Sequence, residues 1–172
     1  MKRYPAPRLA LALTLLALAP AAARAQKAVI VVRHGEKISE SDQRLSEAGK
    51  ARAGRLAAML KDSGIAAIYS TDTPRTRDTV QPLAEALGLK VALYDTGASM
   101  AGKVDARPFV EGVSRAHPND VVLVVGHSNT IPNLLDALGV AEKVTLKDAE
   151  YDAMFVVVPK AGGGATLVRL RY

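Results

Sequence analysis

Residues 33–36 read Arg-His-Gly-Glu and directly follow an apolar run, Val29-Ile30-Val31-Val32. Residues 126–128 read Gly-His-Ser and follow a second such run over 121–125. The chain has three histidines, and two of them, His34 and His127, close the two most apolar segments beyond the first 25 residues. A neutral imidazole is a nucleophile or proton carrier near neutral pH. A guanidinium is a planar fork that matches phosphate or carboxylate oxygens. A third polar segment, Ser70-Thr71-Asp72-Thr73-Pro74-Arg75-Thr76-Arg77-Asp78-Thr79, places two arginines at the start of a helical pattern. Free N–H groups and the helix dipole favour anions there. A single strand that stops in polar residues needs no functional explanation. A histidine at the end of each of two buried strands is hard to obtain from packing alone. Arg77, between Asp72 and Asp78, reads as a solvated side chain.

The elements that must hold these residues follow from periodicity. Short continuous apolar runs bounded by glycine are strands buried on both faces. Such strands belong to parallel sheets, whose ligands bind beyond the strands' carboxyl ends. The pattern predicts strands at 29–32, 65–69, 91–94, 121–125, 154–158 and 165–170. It predicts helices over 45–63, 74–87, 106–116 and 131–138. In the first helix Ser46 is the expected cap, Ala48, Ala51, Leu56, Met59 and Leu60 the expected apolar face, and Gly64 the stop. Pro74 suits the first turn of the second helix, and Asp105 the cap of the third. Residues 96–102 read as loop. Strands alternating with helices predict an α/β fold, a three-layer αβα sandwich with a mainly parallel central sheet.

The ends of the chain qualify its composition. Lys2, Arg3 and Arg8 precede an apolar stretch over 9–19, and Ala23-Arg24-Ala25 is an A-x-A site. Residues 1–25 therefore read as a signal peptide cleaved before Gln26, in preference to an uncleaved anchor, because the apolar stretch is too short to span a bilayer. This predicts a periplasmic or secreted protein with no stable membrane insertion after cleavage. Four of the 23 Lys and Arg and none of the 17 acids lie in that segment, so residues 26–172 carry 19 minus 17, or +2, against +6 for the whole chain. The basic balance is therefore no argument for nucleic acid, and sparse aromatics offer no stacking platform for bases. The chain has no cysteine to form disulfides. Residues 26–172 suit one domain with one core.

Arg33-His34-Gly35-Glu36, the segment from Ser70 through Arg75 with Thr79, and Gly126-His127-Ser128 together resemble the histidine phosphatase superfamily, the phosphoglycerate mutase-like family known by its R-H-G motif. Leu45-Ser46-Glu47-Ala48-Gly49 is similar to the segment that opens the family's first helix. The resemblance covers nearly all of residues 26–172, in order. It implies a phosphoglycerate mutase-like fold and a phosphatase working through a phosphohistidine. His34 matches the nucleophile, and Arg33, Arg75 and His127 match the pocket that binds phosphate. Transfer of a phosphoryl group is mostly positioning and charge stabilisation, which two arginines and a second imidazole supply without a metal or other cofactor. The nucleophile's tautomer must be fixed by a hydrogen bond at its other nitrogen, and a backbone carbonyl near Gly35 is the expected acceptor. For the general acid, Asp95 stands where many family members carry an acidic residue, commonly glutamate, after the third strand. Glu36 competes through its adjacency to His34. Ser128 stands where the phytase and acid-phosphatase branch carries aspartate, so the chain does not resemble that branch.

Other chemistries are weaker. The chain has no H-E-x-x-H, H-x-H or cysteine pattern for zinc. Gly162-Gly163-Gly164 lacks the G-K-[ST] of a phosphate loop and reads as a flexible turn. Asp105 and Glu111 read as a helix cap and a solvated face, and His117, before Pro118, as a surface residue. The expected partner is a phosphorylated substrate. A mutase is the less favoured enzyme, because 94–105 is short for a lid that excludes water. The alternative from another class is a non-catalytic periplasmic module of the same fold that binds phosphate or another anion.

Overall fold

A computed structural model describes residues 27–95 and 105–172. The signal peptide expected over 1–25 and the whole of the loop expected over 96–102 lie outside the described residues. The described elements are β1 (Ala28–Arg33), α1 (Glu47–Leu60), β2 (Ile65–Ser70), α2 (Pro74–Leu87), β3 (Val91–Leu93), α3 (Arg107–Ala116), β4 (Val121–Gly126), α4 (Ile131–Ala137), β5 (Ala153–Pro159) and β6 (Ala165–Arg171).

One six-stranded sheet runs in the order β3-β2-β4-β1-β5-β6. Its first four strands are parallel, and β5 and β6 are antiparallel. The expected mainly parallel sheet is therefore present, with an antiparallel hairpin on one side. Alternation along the central strands explains the three layers. Val29 and Val31 of β1, with Val122 and Val124 of β4, join one core with Val113 of α3 and Ile131, Leu134 and Leu135 of α4. Ile30 and Val32, with Leu123 and Val125, join the opposite core with Leu56 and Leu60 of α1 and Val80, Leu83 and Ala84 of α2. Both faces of these strands are buried, which is why they read as continuous apolar runs.

Local chemistry sets the helix ends. Ser46 caps α1, its Oγ accepting from Gly49 N at 3.2 Å. Pro74 opens α2, and Gly88 closes it in a left-handed conformation, φ 66°. Asp105 Oδ1 accepts from Arg107 N at 3.1 Å at the start of α3. The face of α1 differs from expectation. Its buried residues are Gly49, Ala53, Leu56 and Leu60, while Ala48, Ala51 and Met59 are exposed. The helix is turned so that Gly49 meets the loop after β1: a Cβ there would lie 2.2 Å from Glu36 O. His117 also differs. Its ring is half-buried between Tyr69 Oη (3.0 Å) and Asp120 Oδ2 (3.1 Å), where it ties β2 to the turn before β4. No helix of the described residues is long and apolar enough to cross a membrane.

Candidate active site

Strand register brings the two histidines together. Arg33 pairs with Gly126 across β1 and β4, so His34 and His127 leave neighbouring strands at one level. His34 N continues the ladder by donating to Gly126 O at 3.1 Å. The imidazole centroids are 5.3 Å apart. On the other side of β4, Ser70 of β2 pairs with Val125, which sets Thr71 and the first turn of α2 beside His127. Three strand ends thus open on one cleft of roughly 1090 Å3, lined by Arg33, His34, Thr71, Arg75, Asp95 and His127 among others.

His34 is 4% exposed. Its Nδ1 lies 2.7 Å from Gly35 O. A carbonyl only accepts, so Nδ1 carries the proton and Nε2 is left with a lone pair. Burial pushes its pKa down to about 3, and the nearby His127, Arg75 and Arg33 push in the same direction. The ring is therefore neutral at any ordinary pH. The carbonyl expected from the sequence is that of Gly35 itself.

His127 is fixed in the opposite tautomer. Its Nδ1 faces Arg75 Nη2 at 3.2 Å, and a guanidinium only donates, so Nδ1 accepts. Nε2 then carries the proton and donates to Thr71 Oγ1 at 2.9 Å. Thr71 Oγ1 is in turn 3.0 Å from Thr76 Oγ1, whose hydroxyl reaches Thr71 O at 2.8 Å. Burial, then Arg75 and Arg33, hold the His127 pKa down at about 4.

The arginines are held from behind. Arg33, 5% exposed, directs Nη1 at the carbonyls of Lys147 (3.0 Å), Asp148 (2.9 Å) and Glu150 (3.3 Å). Its guanidinium lies 4.1 Å from the centre of the Tyr151 ring. Arg75 projects from the first turn of α2, whose N-cap Thr73 makes no side-chain capping bond. Arg33 Nε and Arg75 Nε are both buried without a hydrogen-bond partner. Two guanidinium groups line the cleft beside two neutral imidazoles, a donor set that suits an anion.

The two acid candidates separate. Asp95 follows β3 and lines the cleft. Glu36 does not reach it: its carboxylate turns back onto α1, where Arg52 Nε and Nη2 hold it at 2.6–3.1 Å. Adjacency to His34 in the sequence misleads because Arg52 of α1 takes up the Glu36 carboxylate. Arg77 lies outside the cleft lining and pairs with Asp72 at 3.1 Å. Thr79 takes the Gly35 N–H at 2.8 Å and donates to Arg75 O at 2.7 Å, so it links the loop of His34 to the helix of Arg75. Tyr151, Lys37, Glu40 and Asp148 also line the cleft and had no signal in the sequence. Tyr151 arrives because β5 is antiparallel to β1, Met154 pairing with Val32, so the residues before β5 lie at the carboxyl end of β1. Among the described residues, no group of three or more His, Cys, Asp or Glu is gathered as metal ligands are.

Comparison with known proteins bears on the fold. Residues 29–96 match the profile of the histidine phosphatase superfamily (branch 1). A probable phosphoglycerate mutase GpmB from Erwinia tasmaniensis is 34% identical over 73 residues, 38% of this chain and 34% of that protein. The match thus spans about a third of the length of that curated relative. Among solved structures, a mycobacterial glucosyl-3-phosphoglycerate phosphatase determined with VO3 superposes with a TM-score of 0.66 at 19% identity, over 84% of this chain and 98% of that one. The putative phosphohistidine phosphatase SixA from Agrobacterium tumefaciens superposes with a TM-score of 0.62 at 21% identity, over 84% and 98%. These likenesses establish the fold, and structures of this fold include phosphatases. Residues 29–96 are thus similar to the histidine phosphatase superfamily (branch 1), and the described αβα sandwich has the fold of these structures.

Proposed function

We propose that the protein is a phosphatase that hydrolyses a phosphomonoester or phosphoprotein through a phosphohistidine on His34. The observation that carries this reading is the tautomer of His34: Nδ1–H is tied to Gly35 O, leaving the Nε2 lone pair. It stands beside two arginines with unpartnered buried N–H groups. A pocket that only bound an anion would gain more from a donor at Nε2 than from a lone pair.

In the first step Nε2 attacks phosphorus and a P–N bond forms as the P–O bond to the leaving group breaks. Arg33, Arg75 and the helix N-terminus meet the charge on the equatorial oxygens. Asp95, in the cleft, gives the leaving oxygen a proton. In the second step water attacks phosphorus, the P–N bond breaks, and Asp95 takes a proton from the water. Inorganic phosphate and neutral His34 are regenerated. The arginines supply the charge stabilisation a metal ion gives elsewhere, so we propose that the reaction needs no metal. At roughly 1090 Å3, the cleft formed by the described residues has room for a phosphate and part of its carrier. With residues 1–25 read as a cleaved signal, that carrier lies in the periplasm or outside the cell.

The test is hydrolysis of p-nitrophenyl phosphate by residues 26–172, with and without chelator, beside His34→Ala. Chelator-resistant activity, an acid-labile phosphoprotein, and loss of both in the variant are expected. Phosphate binding without turnover or labelling in the wild type would instead favour the non-catalytic module.

A further inference from the structure

The Gly35 carbonyl that sets the tautomer of His34 is itself held by residues outside the cleft. It belongs to the peptide joining Gly35 to Glu36. Gly35 N is bound by Thr79 Oγ1, and Glu36 O accepts from Ser46 N at 2.9 Å. The Glu36 carboxylate forms a two-oxygen pair with Arg52, whose Nη2 lies 2.6 Å from Oε1 and Nε 2.9 Å from Oε2. The remaining Arg52 nitrogen, Nη1, donates to Tyr172 O at 2.7 Å, just past β6. Tyr172 Oη reaches Arg33 O at 3.3 Å. The loop of His34 is thus spanned from α1 to the end of β6 by one guanidinium. The side chains of the pair are 13% and 24% exposed, shielded enough to hold a single geometry.

We propose that Arg52 and Glu36 are positioning residues for His34: their paired side chains hold the Gly35–Glu36 peptide so that its carbonyl remains the acceptor of the Nδ1–H. The proposal rests on His34 as the nucleophile. It gives Glu36 a role other than the proton donor its sequence position suggests. The arrangement needs a planar fork, because one nitrogen pair grips the carboxylate while the third nitrogen grips Tyr172 O. A lysine, a single point donor, can keep the charge but not both attachments. Without the pair, the loop keeps only its bonds to Thr79 and Ser46, on either side of the peptide, and the Nδ1–H loses a fixed acceptor. The imidazole then divides between tautomers, and the one with the proton on Nε2 cannot attack.

The experiment reads the tautomer directly. Long-range 1H–15N NMR spectra of residues 26–172 are recorded near pH 7 for wild type, Glu36→Gln, Arg52→Met and Arg52→Lys. His34→Ala assigns the resonance, and p-nitrophenyl phosphate kinetics are measured in parallel. The wild type should show one His34 tautomer with the proton on Nδ1. Glu36→Gln and Arg52→Met should show averaged ring nitrogen shifts, kcat lowered about tenfold or more, and KM within about twofold. Arg52→Lys should fall between. Should Arg52→Met fail to fold, Glu36→Gln and Arg52→Lys carry the test. Folded variants that keep the wild-type His34 shifts overturn the proposal, whatever their activity. The shifts do not depend on turnover, so an inactive wild type would count against the phosphatase reading while the tautomer result still decides this one.

Discussion

Arg75 Nη2 donates to His127 Nδ1 at 3.2 Å, so the arginine that faces the anion site also chooses the tautomer of the second histidine. One guanidinium therefore fills two roles. Arg75→Lys keeps a charge but loses the fork, and Arg75→Ala loses both. A charge-assisted hydrogen bond is worth about 1.5–3 kcal/mol, so Arg75→Ala should lower kcat/KM roughly 10- to 150-fold. Arg75→Lys should recover part of this. Steady-state kinetics and inorganic phosphate inhibition constants check the order.

Thr71 anchors the other side of His127. Its Oγ1 receives the Nε2–H at 2.9 Å in a half-buried setting. Thr71→Val removes the acceptor and leaves that N–H unmet, at a cost of about 1–3 kcal/mol. Thr71→Ser keeps the hydroxyl and should stay near wild type. Urea unfolding of the two variants distinguishes them.

Two buried neutral histidines make stability depend on acid. Folding lowers the pKa of His34 from 6.5 to about 3 and that of His127 from 6.5 to about 4. Above about pH 6.5 both are neutral folded and unfolded, and they contribute no pH dependence. As pH falls below 6.5, the unfolded chain takes up protons that the folded chain refuses. Stability is lost progressively until the folded histidines also protonate, near pH 4 and 3. At about 1.36 kcal/mol for each pH unit and proton, the loss for the pair is of order 4 kcal/mol by pH 5 and roughly 8 kcal/mol in total. Denaturant unfolding at pH 7, 6 and 5 should show falling stability, and His34→Asn should flatten the slope. An equal slope in the variant would contradict the assignment.

Gly49 touches the loop it supports. A Cβ at this position would meet Glu36 O at 2.2 Å and Glu36 N at 3.0 Å, both backbone atoms that cannot step aside. Gly49→Ala should destabilise by about 1–3 kcal/mol and lower kcat, while Gly54→Ala on the same helix, with nothing within 4 Å, should do neither. Thermal unfolding and the p-nitrophenyl phosphate assay together check this pair.

Tyr151 backs Arg33 with its ring, 4.1 Å from the guanidinium carbon. Tyr151→Leu should weaken phosphate binding through a less fixed Arg33, by about 0.5–2 kcal/mol. Tyr151→Phe keeps the ring and should bind phosphate as wild type does. Isothermal titration with inorganic phosphate measures both.

The sequence by itself determined the strands that are buried on both faces and the residues that end them. Apolar runs bounded by glycine allow few other structures, and Arg33, His34, Arg75 and His127 stand at element ends that any parallel sheet would gather. The three-layer fold and its mainly parallel sheet were legible for the same reason. What only the tertiary structure decided is where side chains turn after those ends. Along the chain Asp95 is the closer match for the acid and Glu36 competes by adjacency to His34, but the Glu36 carboxylate turns to Arg52 while Asp95 lines the cleft. The buried face of α1 joins the Gly35–Gly49 contact to Ala53, Leu56 and Leu60. Tyr151 reaches the site only because β5 runs antiparallel beside β1, a pairing between segments more than a hundred residues apart that local periodicity does not encode. The tautomers of His34 and His127 depend on single acceptors and donors, Gly35 O and Arg75 Nη2, whose distances exist only once the strands are in register.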